Sequence, residues 1–419
     1  MFFDSPVLNI ISTVVAIIFF TFSVILWGIF LYFILISVFG WKKKKELDPD
    51  FFKSEKSFAI IVAAHDEEAV IANAVKSLKR VNYPDSLYDI FVVADNCTDN
   101  TADIARAEGA YVCERYNDEL IGKGHALEWM FKKLFKMDKE YDGICILDAD
   151  NLVSKNFLAE MNKHLCLGHE AIQGYIDSKN PRDTWVSGNN SIAFWISNRF
   201  IQLPRYYIGL SNTLGGTGFV ITKNLLEEFG WGATCLAEDL EFTLKLVLEG
   251  KKVYWAHNAI VYDEKPLTIK QSYRQRKRWM QGHFNCAQRF LRDMIKRTFR
   301  KKDLIALDMS IYLTQPVVVA INGIGMVVGF TYFIITAIIG SFTLATGLYA
   351  VMTLVLLYLS SIFVLLEGKL SWGTVGYLLL MPFYNLTWVP IIIHGFIKRN
   401  DTKWTHTLHT QVVEIEEFD

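Results

Sequence analysis

The chain has 419 residues, 52% of them hydrophobic, and a formal net charge of -1. A mean hydropathy of +0.22 is too high for an ordinary soluble protein, and a near-neutral charge gives nucleic acid no electrostatic footprint. The six cysteines (Cys97, Cys113, Cys145, Cys166, Cys235, Cys286) include no Cys-x-x-Cys pair, which argues against zinc and a disulfide framework and suits a reducing cytosol.

Residues Val7 to Gly40 are nearly free of charge. A bilayer core takes about 20 apolar residues, so this run can span it with tilt, and it is too long for a signal-peptide core. Lys42, Lys43, Lys44 and Lys45 follow directly, and the positive-inside rule places the next domain in the cytosol. From there strand-like and helical stretches alternate. Ser57 to Ala64, Asp89 to Asp95, Ala110 to Glu114 and Gly143 to Asp148 read as strands, and Glu67 to Arg80, Thr101 to Glu108 and His125 to Phe135 as helices. That alternation predicts a parallel, doubly wound α/β sheet, whose ligands sit outside the carboxyl ends of the strands. Ala64-His65, Asp95 and Asp148 all fall at such ends. No P-loop sequence is present and no Gly-x-Gly-x-x-Gly opens a helix, which disfavours both nucleotide folds.

Asp148-Ala-Asp150 places two hard oxygen donors at a strand end, suited to Mg²⁺ or Mn²⁺ with substrate phosphates, although Asp-x-Asp is also common in loops. Asp95 could point at a nucleobase or ribose, whereas Asp99 or Asn100 is the expected helix cap. Gly122-Lys123-Gly124 suits a diphosphate or an ordinary glycine turn. Leu214-Gly-Gly-Thr217-Gly218-Phe219 reads as a hairpin or bulge approached by another molecule, or as a plain turn. Glu238-Asp239 opens a helical pattern, where acids serve as caps; Asp239 could instead be a general base for an acceptor hydroxyl.

Gln275, Arg278 and Trp279 share one face of a basic, amphipathic helix. The helix continues through Phe284, Phe290, Leu291, Met294 and Ile295 among Arg289, Arg292, Lys296 and Arg297, as a membrane-surface helix does. Arg276, Lys277 and the later cations are read as meeting anionic lipid. Beyond Leu307 the chain is apolar again, with spans expected near 314–339 and 344–366. A third stretch, 374–397, contains Pro382 and Pro390. A simple span there would put Lys398, Arg399 and Lys403 on the wrong side, which a re-entrant or interfacial hairpin resolves.

Together and in this order, these residues resemble the family 2 inverting glycosyltransferases of GT-A fold. Among them they are similar to the membrane-embedded processive synthases of cellulose, hyaluronan, poly-N-acetylglucosamine and bacterial β-glucans. The resemblance covers about Ser57 to Phe290. It implies an α/β GT-A cytosolic domain with transmembrane and interface helices. The expected plan is an N-terminal span over 1–45, a catalytic domain over 46–265, interface helices over 266–305, membrane or interfacial helices over 306–397 and a cytosolic tail over 398–419.

By the same resemblance, Glu67, Asp95, Lys123, Asp148 and Gln275 hold the nucleotide, and Asp148 and Asp150 hold Mg²⁺ or Mn²⁺. Thr217, Gly218, Glu238 and Trp279 meet the acceptor, Asp239 is the base, and Arg278 stabilises the leaving diphosphate. His65 and Asp66 depart from the family's nucleotide turn, so only Glu67 carries over there, and Ala237 stands where the family has threonine. Lys403-Trp404-Thr-His-Thr resembles a tryptophan-containing tail of some relatives. The implied activity is polymerisation of a UDP-sugar, UDP-glucose favoured, into a β-linked polysaccharide at the plasma membrane. Its partners would be the donor, a growing glycan, the bilayer and accessory secretion proteins. Transfer of one sugar to a lipid, or poly-N-acetylglucosamine synthesis from UDP-GlcNAc, shares every motif. A transporter is disfavoured by the few ionisable residues inside the apolar runs, and a catalytically dead binding module by the intact set of acids.

Overall fold

The computed structural model describes residues 28–338 apart from 30 and 233, then 347, 351, 367, 369 and 371–401. Most of the expected first span, nearly all of the one at 344–366, and the Lys403-Trp404 tail lie outside the described residues.

The domain that follows the first apolar run is built on an eight-stranded sheet. Its strands are β1 (Phe58–Ala64), β2 (Tyr88–Asp95), β3 (Tyr111–Arg115), β4 (Gly143–Asp148), β5 (Leu152–Val153), β6 (Ala171–Ser178), β7 (Phe219–Thr222) and β8 (Tyr254–Asp263). The helices among them are α1 (Ile71–Lys79), α2 (Thr101–Ala107), α3 (Lys123–Leu134), α4 (Phe157–Cys166), α5 (Trp185–Ser197), α6 (Leu203–Tyr207), α7 (Lys223–Phe229) and α8 (Glu238–Leu248). A π-helical turn, Asn198–Gln202, joins α5 to α6. The sheet order is β3-β2-β1-β4-β7-β6-β8-β5.

The strands β3, β2, β1 and β4 are parallel, as the alternation predicts. β6 and β8 also pair in parallel, and β7 and β5 depart from that expectation. β7 runs antiparallel to both β4 and β6, and β5 is antiparallel to β8 at the edge. Direction reverses because the chain passes through α4, β6, α5 and α6 before β7 inserts beside β4. An alternating pattern does not record strand order once neighbours in the sheet are far apart in sequence. The central strands are buried on both faces and so read as continuous apolar runs. Ile71, Val75 and Leu78 of α1 with Phe157 and Met161 of α4 cover one face. Leu127, Met130 and Phe131 of α3 with Phe242 and Leu246 of α8 cover the other.

Two long elements follow. Helix α9 (Ile269–Lys301) starts at a capping box in which the Gln271 N–H donates to the Thr268 hydroxyl and the Thr268 N–H to the Gln271 side chain, satisfying two orphan donors of the first turn. Helix α10 (Leu304–Ile338) returns along it. Leu240, Leu244 and Val247 of α8 pack with Cys286 and Met294 of α9 and with Met309 and Leu313 of α10. This cluster fixes α9 over the carboxyl end of the sheet.

Helices α11 (Trp372–Leu386) and α12 (Trp388–Ile397) complete the described chain. Leu304–Ile335 and Trp372–Ile397 are long and apolar enough to cross a membrane, by length and composition. Val327, Val328, Phe330, Ile334 and Ile338 of α10 are exposed. The α11–α12 pair is broken at Thr387, where Pro390 supplies no N–H to continue the helical ladder. One end of the pair meets the sheet domain and the other meets α9. Lys369 Nζ lies 2.8 Å from Asp177. At the other end Gln281 Nε2 donates to the Lys398 carbonyl at 3.0 Å and Arg399 Nε to Gln288 at 2.8 Å. Thr387, the one residue between the two helices, keeps helical φ and ψ of -65° and -18°, so α12 continues α11 across a kink and does not turn back as a hairpin.

One expectation for α9 is overturned. Arg276 does not face lipid: it is fully buried beneath α11 and α12. A two-faced amphipathic pattern gave no sign of this third contact surface.

Candidate active site

A cavity of about 500 Å³ lies outside the carboxyl ends of β1, β2 and β4 and is roofed by α9. The turns after β1 and β2 shape its nucleotide end. Asp66 and Asn96 both take left-handed φ values, +53° and +52°, which short polar side chains tolerate. The Thr98 N–H donates to the Asp66 carboxylate at 2.6 Å and ties the two turns together. Glu67, buried in the first turn, lines the cavity and its N–H donates to Thr101. Asp99 accepts from the N–H groups of Glu68 and Thr101 and so serves structure. Asp95 also lines the cavity, in a buried ion pair with Arg115. Arg115 ends β3 directly opposite Asp95 in register. Sequence reasoning missed it because only the strand pairing reveals that alignment.

Asp148 and Asp150 meet at the end of β4. Asp148 is paired with Lys123, whose ammonium also reaches the Gly216 carbonyl at 2.6 Å. Lys123 thus joins the turn before α3 to the glycine-rich loop. The Asp148 N–H is shared between Asn151 and Thr217 at 3.0 and 3.1 Å. The Thr217 hydroxyl donates to Asn151, so this buried hydroxyl braces the Asp148 turn. Asp150 accepts from the Glu264 N–H at 2.9 Å.

Asp263, at the end of β8, lines the same cavity. Burial pushes its carboxyl up to about 6, opposed by Lys265 and reinforced by Asp150. The local sequence does not mark Asp263; the sheet brings it there from more than a hundred residues away. Asp148, Asp150 and Asp263 thus line one cavity with hard oxygen donors, the ligand type that suits Mg²⁺ or Mn²⁺.

Gly218 stands apart from the other predicted residues and does not line the cavity. Its φ is +66°, and a Cβ there would lie 2.4 Å from Val261 Cγ1; the position needs glycine for the chain to enter β7. Gln173, buried in β6, holds this loop by accepting from the Gly215 N–H at 2.8 Å and donating to the Thr217 carbonyl at 2.9 Å. A glutamine within an otherwise buried strand was the available signal for it.

The remaining predicted residues come from α8 and α9. Glu238 and Asp239 occupy the first turn of α8 and line the cavity. Burial, with adjacent Asp239, pushes the Glu238 carboxyl up to about 7. Burial likewise raises Asp239, while its contact with the Leu240 N–H opposes the rise. Gln275, Arg278 and Trp279 enter from α9. Trp279 meets Phe194 of α5 edge to face, with centroids 6.2 Å apart. Beyond them His283 and Tyr312 continue the wall towards α10. The structure thus gathers Glu67, Asp95, Lys123, Asp148, Asp150, Thr217, Glu238, Asp239, Gln275, Arg278 and Trp279 around one space.

Residues 55–282, more than half of the chain, match the profile described as glycosyltransferase like family 2. The chain is 28% identical over 253 residues to a probable glycosyltransferase, YdaM, of Bacillus subtilis, covering 57% of this chain and 58% of that protein. It is 26% identical over 245 residues to a beta-monoglucosyldiacylglycerol synthase of Nostoc, covering 56% and 49%. It is 24% identical over 267 residues to a poly-beta-1,6-N-acetyl-D-glucosamine synthase of Staphylococcus aureus, covering 61% and 60%. The matched part is thus about half to three fifths of the length of these relatives. Among solved structures, a mannosyltransferase from Pyrobaculum calidifontis, in complex with GDP-Man and Mn²⁺, superposes with a TM-score of 0.55 at 16% identity, covering 92% of this chain and 98% of that one. With its GT-A fold and this match, the chain belongs to glycosyltransferase family 2.

Proposed function

We propose that the protein transfers a hexose from a UDP-sugar, UDP-glucose favoured, to a sugar hydroxyl by a single inverting displacement, and repeats the step to build a β-linked polysaccharide. The observation that carries this is the meeting of two sets of residues in one cavity: strand-end acids suited to a nucleotide diphosphate, and Asp239 with the Gln275–Trp279 face of α9.

In this reading Asp95 and Glu67 hold the nucleoside, and Lys123 and Gln275 flank the diphosphate. A divalent cation held by Asp148 and Asp150, with Asp263 beside them, would neutralise charge on the leaving diphosphate. Arg278 places a second positive charge on the same leaving group. Trp279 offers an apolar face to an acceptor sugar ring, with Glu238 beside it. Asp239, its carboxyl raised by burial, takes the proton from the attacking hydroxyl. Thr217, which lines the cavity, remains a candidate acceptor contact, while Gly218 shapes the loop that carries Gly216 against Lys123. The cavity wall at His283 and Tyr312 supports an exit for the growing chain along α10, and the apolar surface of α10 supports placement in the plasma membrane.

The second reading is transfer of one hexose to a lipid. It is favoured by the likeness to the Nostoc synthase, whose name specifies a glucosylated diacylglycerol. Purified protein in lipid nanodiscs, given each UDP-sugar with Mn²⁺ or Mg²⁺, separates the two readings by product length. Polymer of many sugars is expected from one UDP-sugar, with none after EDTA. A product limited to one sugar on lipid supports the second reading, and no turnover with any UDP-sugar contradicts both.

A further inference from the structure

The turn that presents Gln275, Arg278 and Trp279 to the cavity is locked from behind by the kinked α11–α12 segment, and the lock is Arg276. This guanidinium is fully buried. Its carbon lies 4.4 Å from the ring centre of Tyr384 and 4.8 Å from that of Trp388, one ring from each helix of the segment. Nη2 donates to Thr387, the residue at the kink, at 2.9 Å, and Nε to the Ser272 carbonyl at 3.3 Å. Nη1 has no hydrogen-bond acceptor among the described residues. A buried cation in this setting is held by aromatic faces, one hydroxyl and one carbonyl.

Other contacts place α12 against the same stretch of α9. A Cβ on Gly395 would lie 2.4 Å from Met280 Cβ, and Tyr273 Oη meets His394 Nδ1 at 3.1 Å. Arg276 follows Gln275 directly and precedes Arg278 by two residues. On a helix these side chains diverge around the axis, so a contact that fixes Arg276 fixes the rotation at which its neighbours face the cavity. Elsewhere α11 and α12 carry exposed Trp372, Leu379, Phe383 and Ile393.

The structure assigns Arg276 as a positioning residue: seated against the kink between α11 and α12, it sets the orientation of the Gln275–Trp279 face towards the cavity, without touching substrate. Arginine is required rather than any cation, because lysine lacks the planar group that fills the space between two rings and reaches Thr387 together.

This inference rests on the proposed transfer reaction. The full chain in nanodiscs is assayed with Mn²⁺ and whichever UDP-sugar the wild type consumes, comparing sugar transferred with sugar hydrolysed to free hexose. Arg276→Lys and Trp388→Leu are expected to lower transfer about 10- to 100-fold, the scale of a misplacement near 1 Å. Both should shift the partition towards hydrolysis and weaken UDP–Mn²⁺ binding less than they lower transfer. Trp388→Phe, which keeps a ring over Arg276, should stay near wild type. Wild-type transfer and partition in Arg276→Lys overturns the inference. Should that variant not fold, wild-type partition in Trp388→Leu overturns it equally. Trp279→Ala separates this failure from that of the wider reading. Loss of transfer in Trp279→Ala with none in Arg276→Lys removes only the lock, whereas full transfer in Trp279→Ala removes the acceptor assignment itself.

Discussion

Glu238 and Asp239 are adjacent, half-buried acids in one helix turn, and the arrangement works against folding. Because the Glu238 carboxyl is raised from its ordinary value to about 7, the folded state binds more protons than the unfolded state between about 4.5 and 7. Stability therefore falls as pH rises through that window and stays lower above it. Glu238→Gln removes the penalty. Its melting temperature should match wild type near pH 4 and exceed it at pH 8, by about 2–4 °C for each kcal/mol recovered; thermal melts at the two pH values check this. At the same scale, the sequence showed the acids that end a strand or open a helix. Asp148, Asp150 and Asp239 stand beside short recognisable patterns. Asp263, Arg115 and Gln173 do not, because what gives each its place is a neighbour in the sheet and not a neighbour in the chain.

At the scale of elements, α9 touches the catalytic turn at its closest approach. A Cβ on Gly282 would lie 2.4 Å from Ala237 Cβ and 2.7 Å from Ala237 N. Ala237 immediately precedes Glu238-Asp239, so a small residue is needed on both sides, and the alanine found where the family has threonine belongs to this contact. Gly282→Ala should push the turn away from α9, costing about 1–3 kcal/mol of stability by overpacking and lowering transfer. A melt and a transfer assay on the same preparation test this, and a variant with unchanged stability contradicts the close fit. Strands β1 to β4 and their helices were legible because their apolar runs are short, continuous and punctuated by turns. The antiparallel β7 was not, since its four residues carry no signal of direction. The environment of α9 was only half legible: its amphipathic pattern separates polar from apolar, but not a cavity from a contact with α11 and α12.

Across the whole molecule, one buried ion pair joins the parts. Arg205 of α6 and Asp308 of α10 are both fully buried, with Nε and Oδ2 3.1 Å apart. Tyr32, in the helical stretch at 31–38, donates to the same Asp308 at 2.8 Å. Three segments remote in sequence thus converge where the catalytic domain meets the apolar helices. Removing one partner strands a buried charge, so Asp308→Ala should cost about 3–5 kcal/mol, while the double replacement Arg205→Met with Asp308→Leu should recover most of it. Melting temperatures of the two variants test the claim, and equal losses would contradict it.

The central claim is that Asp239 takes the acceptor proton in a cavity whose other acids hold the donor. Asp239→Asn in the full chain tests it most directly, with transfer from the UDP-sugar and UDP–Mn²⁺ affinity read side by side. The account predicts transfer reduced by about 10²- to 10⁴-fold with nucleotide affinity nearly intact. Wild-type turnover in that variant, or loss of nucleotide binding in step with loss of transfer, would contradict it.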